Sequence, residues 1–140
     1  MSEFADTNIL LYAYSSDPGA KQEQSIVLLQ RLASDRTGVI STQVLVEFCS
    51  AAIRKLHMTE ADAKAALSDF SDWPLQRPDF ASVTTALHLQ QRYQLAWYDA
   101  MILTSAIESG CSILWTEDFQ DGQRFGDLVV RNPYKKARAV

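Results

Sequence analysis

Short apolar runs alternating with longer amphipathic segments limit what this chain can fold into more than any other feature. Ser2–Ala5, Gly38–Ser41, Ser112–Thr116 and Leu128–Arg131 have the length and apolar content of buried strands. Between them the apolar residues recur at helical spacing. Thr7 to about Tyr14 forms one such segment, and Ala20 to about Ser34, with Val27, Leu28 and Leu32, forms another. A third starts from an N-cap at Ser41 or Thr42, runs to about Leu56 and buries Val44, Leu45, Phe48 and Ala52. Thr59-Glu-Ala-Asp62 has the spacing of a capping box for a segment burying Ala63, Leu67 and Phe70 ahead of Pro74. Pro78–Tyr93 and Trp97–Ser109 complete the set, with Gly110 at the position that commonly ends a helix. Strand–helix alternation of this kind predicts an α/β fold in three layers, with a central parallel sheet of about four to five short strands. The chain is expected to form one domain, residues 1–140.

The remaining bulk properties exclude whole classes. The longest apolar stretches, such as Asn8–Tyr14, fall far short of a membrane span, and Met1–Asp6 lacks the pattern of a secretory signal. No membrane association is therefore expected, and the cytoplasm is the expected compartment. Cys49, Cys111, His57 and His88 are isolated from one another, which leaves no pattern for zinc and favours reduced, buried thiols. A formal net charge of −4 argues against a module that merely coats nucleic acid. It is compatible with an enzyme whose own carboxylates inflate the negative count.

The acids then divide. Asp17, Glu23, Asp35, Glu60, Asp62, Asp69, Asp72, Asp79 and Asp127 stand among polar neighbours and read as solvated. Asp6 stands between Phe4-Ala5 and Ile9-Leu-Leu-Tyr12, Glu47 inside Val44-Leu-Val-Glu-Phe-Cys49, and Asp99 between Leu95-Ala-Trp-Tyr98 and Ala100-Met-Ile-Leu103. A carboxylate against apolar surroundings is costly unless a cation or hydrogen-bond donors compensate it. Three of them from three separate elements ask for a common explanation. Asp118 adds a fourth, just beyond the Ser112–Thr116 strand as Asp6 is just beyond the first. Carboxyl ends of parallel strands line one edge of an α/β sheet, where sites are normally built. If the four converge there, their repulsion raises their pKa values unless a divalent ion neutralises them, and oxygen ligands suit Mg²⁺ or Mn²⁺. Such a site fits phosphoryl chemistry without specifying the nucleic acid.

Four stretches in this order, Phe4-Ala-Asp-Thr-Asn-Ile-Leu-Leu-Tyr-Ala-Tyr14, Ser41-Thr-Gln-Val-Leu-Val-Glu-Phe48, Trp97-Tyr-Asp-Ala-Met-Ile-Leu103 and Ile113-Leu-Trp-Thr-Glu-Asp-Phe-Gln-Asp-Gly122, resemble the PIN-domain ribonucleases of the VapC toxin kind. The resemblance spans about Phe4 to Pro133. It implies an α/β/α fold and an Mg²⁺- or Mn²⁺-dependent endoribonuclease, with Asp6, Glu47 and Asp99 in the three core acid roles and Asp118 in the fourth. Glu117 and Asp121 crowd the same turn and remain alternatives for the fourth. Thr7 either binds a site carboxylate or caps the following helix, and Thr116 either serves the site or packs in its strand. The resemblance also implies a cognate antitoxin and a homodimer. Apolar surface between Thr59 and Tyr93 adds weight to the dimer.

Tyr12, Tyr14, Trp97 and Tyr98 offer rings for base stacking, although packing is the better explanation for aromatics at helical spacing. Arg131, Lys135, Lys136 and Arg138 form a basic tail that reads as a solvated terminus or as phosphate contacts. Three rival readings are a non-cutting PIN-fold module that binds RNA or protein, a haloacid-dehalogenase-like phosphatase and a receiver domain. The phosphatase wants an Asp where Asn8 stands. The receiver wants a late Lys after a strand.

Overall fold

Twelve elements alternate along the computed structural model, which describes residues 1–135. They are β1 (Glu3–Ala5), α1 (Thr7–Ala13), α2 (Ala20–Asp35), β2 (Gly38–Ser41), α3 (Thr42–Arg54), α4 (Glu60–Ser68), β3 (Leu75–Gln76), α5 (Phe80–Tyr93), α6 (Trp97–Glu108), β4 (Ile113–Trp115), β5 (Arg124–Phe125) and β6 (Leu128–Arg131). The sheet order is β3-β2-β1-β4-β6-β5. All neighbours pair in parallel except β5 and β6, which form an antiparallel hairpin at one edge.

The three-layer α/β architecture expected from the sequence is present, with six strands instead of four or five and one of them antiparallel. The two additional strands, β3 and β5, are two residues each. A pair of residues carries no periodicity, and both strands are held by their neighbours rather than by their own propensity.

β1 is buried along its whole length, as central parallel strands are. Around it Phe4, Leu10, Leu32, Ile40, Val44, Phe48, Ile102, Leu103, Leu114 and Val130 form one core with no more than 2% exposure each. The helix ends follow local chemistry. Ser41, not Thr42, caps α3 by accepting from the Val44 N–H at 3.2 Å. Thr59 caps α4 through the Asp62 N–H at 3.1 Å. The reciprocal capping box belongs to α5, where Asp79 and Ser82 exchange hydrogen bonds, so Asp79 is a cap and not a merely solvated acid. Gly110 follows α6 at φ +73°, as its position predicted. Gly38 is required for a different reason: a methyl group there would overlap the ring of Trp73.

Several apolar residues of the helices stay exposed. Val27, Val83 and Leu87 are 60%, 46% and 53% exposed, so the apolar faces of α2 and α5 are wider than the core that receives them. Leu67 is only half-buried, and Phe70 packs from beyond the end of α4 against Tyr14 and Trp73.

Candidate active site

β1 and β4 are neighbours, but the chain leaves β1 towards β2 on one side of the sheet and leaves β4 towards β6 on the other. A crevice opens at the carboxyl end of such a switch point. Asp6 directly follows β1, and Thr116, Glu117 and Asp118 directly follow β4. β2, on the other flank of β1, feeds α3, which carries Glu47 one and a half turns in. Asp99 lies in the first turn of α6.

Hydrogen bonds join these elements. Asp6 is the N-cap of α1: its Oδ1 accepts from the Thr7 N–H at 2.6 Å, and its Oδ2 accepts from the Thr116 hydroxyl at 2.7 Å. The same Thr116 oxygen accepts from the Asp118 N–H at 3.1 Å. Thr7 does not cap its helix. Its hydroxyl donates to Glu47 Oε2 at 3.2 Å, linking α1 to α3. Gln43, one turn before Glu47, donates to Glu47 Oε1 at 2.6 Å and to the Tyr98 carbonyl at 3.2 Å, which links α3 to α6 beside Asp99. Gln43 was not singled out in the sequence, where nothing but its i, i+4 spacing to Glu47 marks it.

The charges are coupled as well. Asp6 is only 5% exposed, and burial, reinforced by the charges of Asp118 and Asp99, pushes its carboxyl up to about 7 against the pull of its two donors. Burial also raises Asp99, with Asp118 and Glu47 as the charged contributors. Asp6 thus feels the charges of Asp118 and Asp99, and Asp99 those of Asp118 and Glu47. Among the described residues, no Lys or Arg forms an ion pair with any of the four. The four do not close into a cage, since no three His, Cys, Asp or Glu side chains among the described residues stand at ion-holding separations. Like charges favour such spacing. The donor set is all oxygen, and a buried carboxylate beside two others, satisfied by neutral donors only, is the environment a hard dication suits.

The other two acids of the 117–121 turn are engaged elsewhere. Glu117 accepts from the Tyr12 hydroxyl at 2.6 Å and from Lys21 Nζ at 2.8 Å. Asp121 accepts from the Asn132 N–H at 2.8 Å. Asp69, expected to be solvated, takes the Tyr14 hydroxyl at 2.5 Å. Glu3 went unremarked in the sequence, yet it is 7% exposed and held by Arg31, Thr37 and the Trp115 indole N–H. Of the aromatics, Tyr12 packs on Tyr134 and Tyr14 on Phe48, while Tyr98 is 67% exposed next to Asp99. Arg131 and Lys135 are exposed, and Lys136 and Arg138 of the basic tail lie outside the described residues.

Comparison with known proteins gives a consistent result. The family model described as "PIN domain" matches residues 4–122. A search of curated proteins returns no match. Among solved structures, a toxin–antitoxin complex from Klebsiella pneumoniae is similar at 25% identity and TM-score 0.69, covering 96% of this chain and 100% of that one. VapBC2 from Rickettsia felis, bound to a promoter DNA fragment, matches at 20% identity and TM-score 0.70, over 94% and 98% of the two chains. Mycobacterium tuberculosis VapC20, a toxin that cleaves the sarcin–ricin loop, matches at 16% identity and TM-score 0.64, over 81% and 87%. At their lower identities, the last two speak to the fold alone.

Proposed function

This chain belongs to the PIN domain family, and on that footing we propose that it is an Mg²⁺- or Mn²⁺-dependent endoribonuclease and the toxin of a toxin–antitoxin pair. One observation carries the reading: at the β1/β4 switch point the Thr116 hydroxyl joins the Asp6 carboxylate to the Asp118 N–H, while Thr7 binds Asp6 through its N–H and Glu47 through its hydroxyl. Asp6, Glu47, Asp99 and Asp118 would hold the ion, which supplies Lewis acidity towards water and the phosphodiester.

The chain's own residues prepare the crevice. Thr116 and the Thr7 N–H fix the rotamer of Asp6, and Thr7 and Gln43 fix Glu47 from two sides. The N-terminal turn of α6 favours negative charge on Asp99. The exposed ring of Tyr98 offers a stacking face for an unpaired base of RNA.

The likeness to the Klebsiella complex supports a protein antitoxin as partner. An all-acidic crevice suits an inhibitor that brings Arg, whose planar fork pairs with carboxylates. Apolar flanks of such an arm fit the groove lined by Ala13, Tyr14, Ile26, Leu29, Phe70 and Trp73. Val46, Phe80, Val83 and Leu87 are between 46% and 88% exposed on α3 and α5, and a homodimer across these helices would cover them. The cytoplasm, where RNA and antitoxin meet, is the proposed compartment.

Cleavage of total cellular RNA tests the reading. The protein should cut with Mn²⁺ or Mg²⁺ and not in excess chelator, and Asp6→Asn should lose activity by orders of magnitude. Binding of RNA without any cutting would replace the enzyme with a non-catalytic PIN module.

A further inference from the structure

Glu117 is the acid nearest in sequence to Asp118, and its contacts set it apart from the crevice. Its Oε1 accepts from the Tyr12 hydroxyl of α1 at 2.6 Å, and its Oε2 takes Lys21 Nζ from the first turn of α2 at 2.8 Å. Lys21 also lies 5.1 Å from the ring centroid of Tyr12 and 5.3 Å from that of Tyr134. These two rings meet edge to face, and Tyr134 is tied to Ser25 of α2 at 2.7 Å.

A lone pair with its Lys half exposed would contribute little. Here the carboxylate is 19% exposed, both its oxygens are used, and the ammonium is flanked by two rings, which makes the contact directional. The position of Lys21 argues further. In the first turn of α2 a cation opposes the helix dipole, so its own helix gains nothing from it.

In the turn after β4, Thr116 is bonded inward to Asp6, and Glu117 is held outward by α1 and α2. Asp118 follows directly, and its N–H donates to the Thr116 hydroxyl oxygen at 3.1 Å, so Glu117 sits between two tethered residues. We propose that Lys21, Tyr12 and Glu117 form a strap that positions the Asp118 carboxylate in the crevice, with Lys21 as its positioning residue. The strap rests on the reading of the four carboxylates as a cation site, and it also makes a claim about the turn that holds without a cation.

Lys21→Met separates positioning from plain electrostatics by sign. Removing a positive charge near an acidic site should tighten cation binding, whereas releasing the turn should weaken it. Two quantities are measured on the parent, Lys21→Met and Lys21→Arg: Mn²⁺ affinity by calorimetry, and amide exchange of residues 117–119 in metal-free protein. The strap predicts that Lys21→Met keeps the parent melting temperature within a few degrees and raises the Mn²⁺ Kd about tenfold. It also predicts exchange of the turn accelerated severalfold, with Lys21→Arg restoring both. An unchanged or lower Kd in Lys21→Met overturns the strap, and so does unchanged exchange. If Mn²⁺ binds neither parent nor variant while exchange of the turn still rises, the strap stands as a device of the turn and the cation reading falls.

Discussion

Asp6→Asn should make the metal-free protein more stable at pH 8, although it removes the central residue of the proposed site. Folded Asp6 holds its proton up to about pH 7, whereas an unfolded aspartate releases it near 3.8. The folded state therefore binds more protons than the unfolded one between these values, and stability falls as pH rises through that window. Above it the full penalty applies, roughly 4 kcal/mol from the gap between 3.8 and about 7. Asparagine never ionises and escapes the penalty. It keeps one acceptor oxygen for the Thr7 N–H and forces the Thr116 hydroxyl to turn, which costs about 1–2 kcal/mol. The net gain is about 2–3 kcal/mol, or a melting temperature raised by about 5–10 °C at this chain length. At pH 3.5 Asp6 is protonated in the folded state and about two-thirds protonated in the unfolded one, so little of the penalty remains and the order should reverse, with the parent more stable by about 1 kcal/mol. Adding Mn²⁺ at pH 8 should raise the parent's melting temperature by linkage and the variant's much less. Differential scanning calorimetry over this pH range in chelator measures all of it. An Asp6→Asn protein that melts below the parent at pH 8 in chelator would refute the account of Asp6 as a destabilised, buried charge.

Thr116→Val removes the hydroxyl that favours the ionised form of Asp6, so the Asp6 carboxyl should titrate at higher pH; carbon-13 NMR of the side chain would show it, and an unchanged midpoint would contradict the assigned hydrogen bond. Gly38→Ala drives a methyl into the Trp73 ring and should cost about 1–3 kcal/mol in denaturant unfolding, without changing Mn²⁺ affinity. Light scattering at micromolar concentration should give twice 15.7 kDa, falling to the monomer when Val46 and Val83 are both replaced by Asp. Expression of the chain alone should arrest growth, and co-expression of its antitoxin should restore it; harmless expression of a protein that cuts RNA in vitro would replace the toxin with a housekeeping nuclease.

The acids most legible in the sequence were those whose neighbours made them expensive. Asp6, Glu47 and Asp99 stand against apolar residues; in the fold Thr7 binds both Asp6 and Glu47, and Asp99 feels the charge of Glu47. The choice within Glu117-Asp118-Phe-Gln-Asp121 was not legible, because all three acids occupy one turn and differ only in distant partners. Tyr12 and Lys21 engage Glu117 from more than ninety residues away, and the Asn132 N–H engages Asp121 from the exit of β6. Glu3 was hidden in the same way, since a residue near the N-terminus reads as exposed until Arg31, Thr37 and Trp115 surround it. The fold was readable from alternation wherever a strand reached three residues, and unreadable at β3 and β5, whose pairing is the whole reason they are strands.

The neighbour relation between β1 and β4 also sets a timetable. Phe4 lies opposite Leu114 in the sheet, so the first strand waits for nearly the last part of the chain before its second flank is filled. Contacts this distant in sequence form late in folding. A ribosome that has released only the first hundred residues displays Asp6, Glu47 and Asp99 but has no Thr116 to hold Asp6 and no Asp118 to complete the crevice. The four carboxylates therefore cannot be brought together until β4 and the turn that follows it have been made.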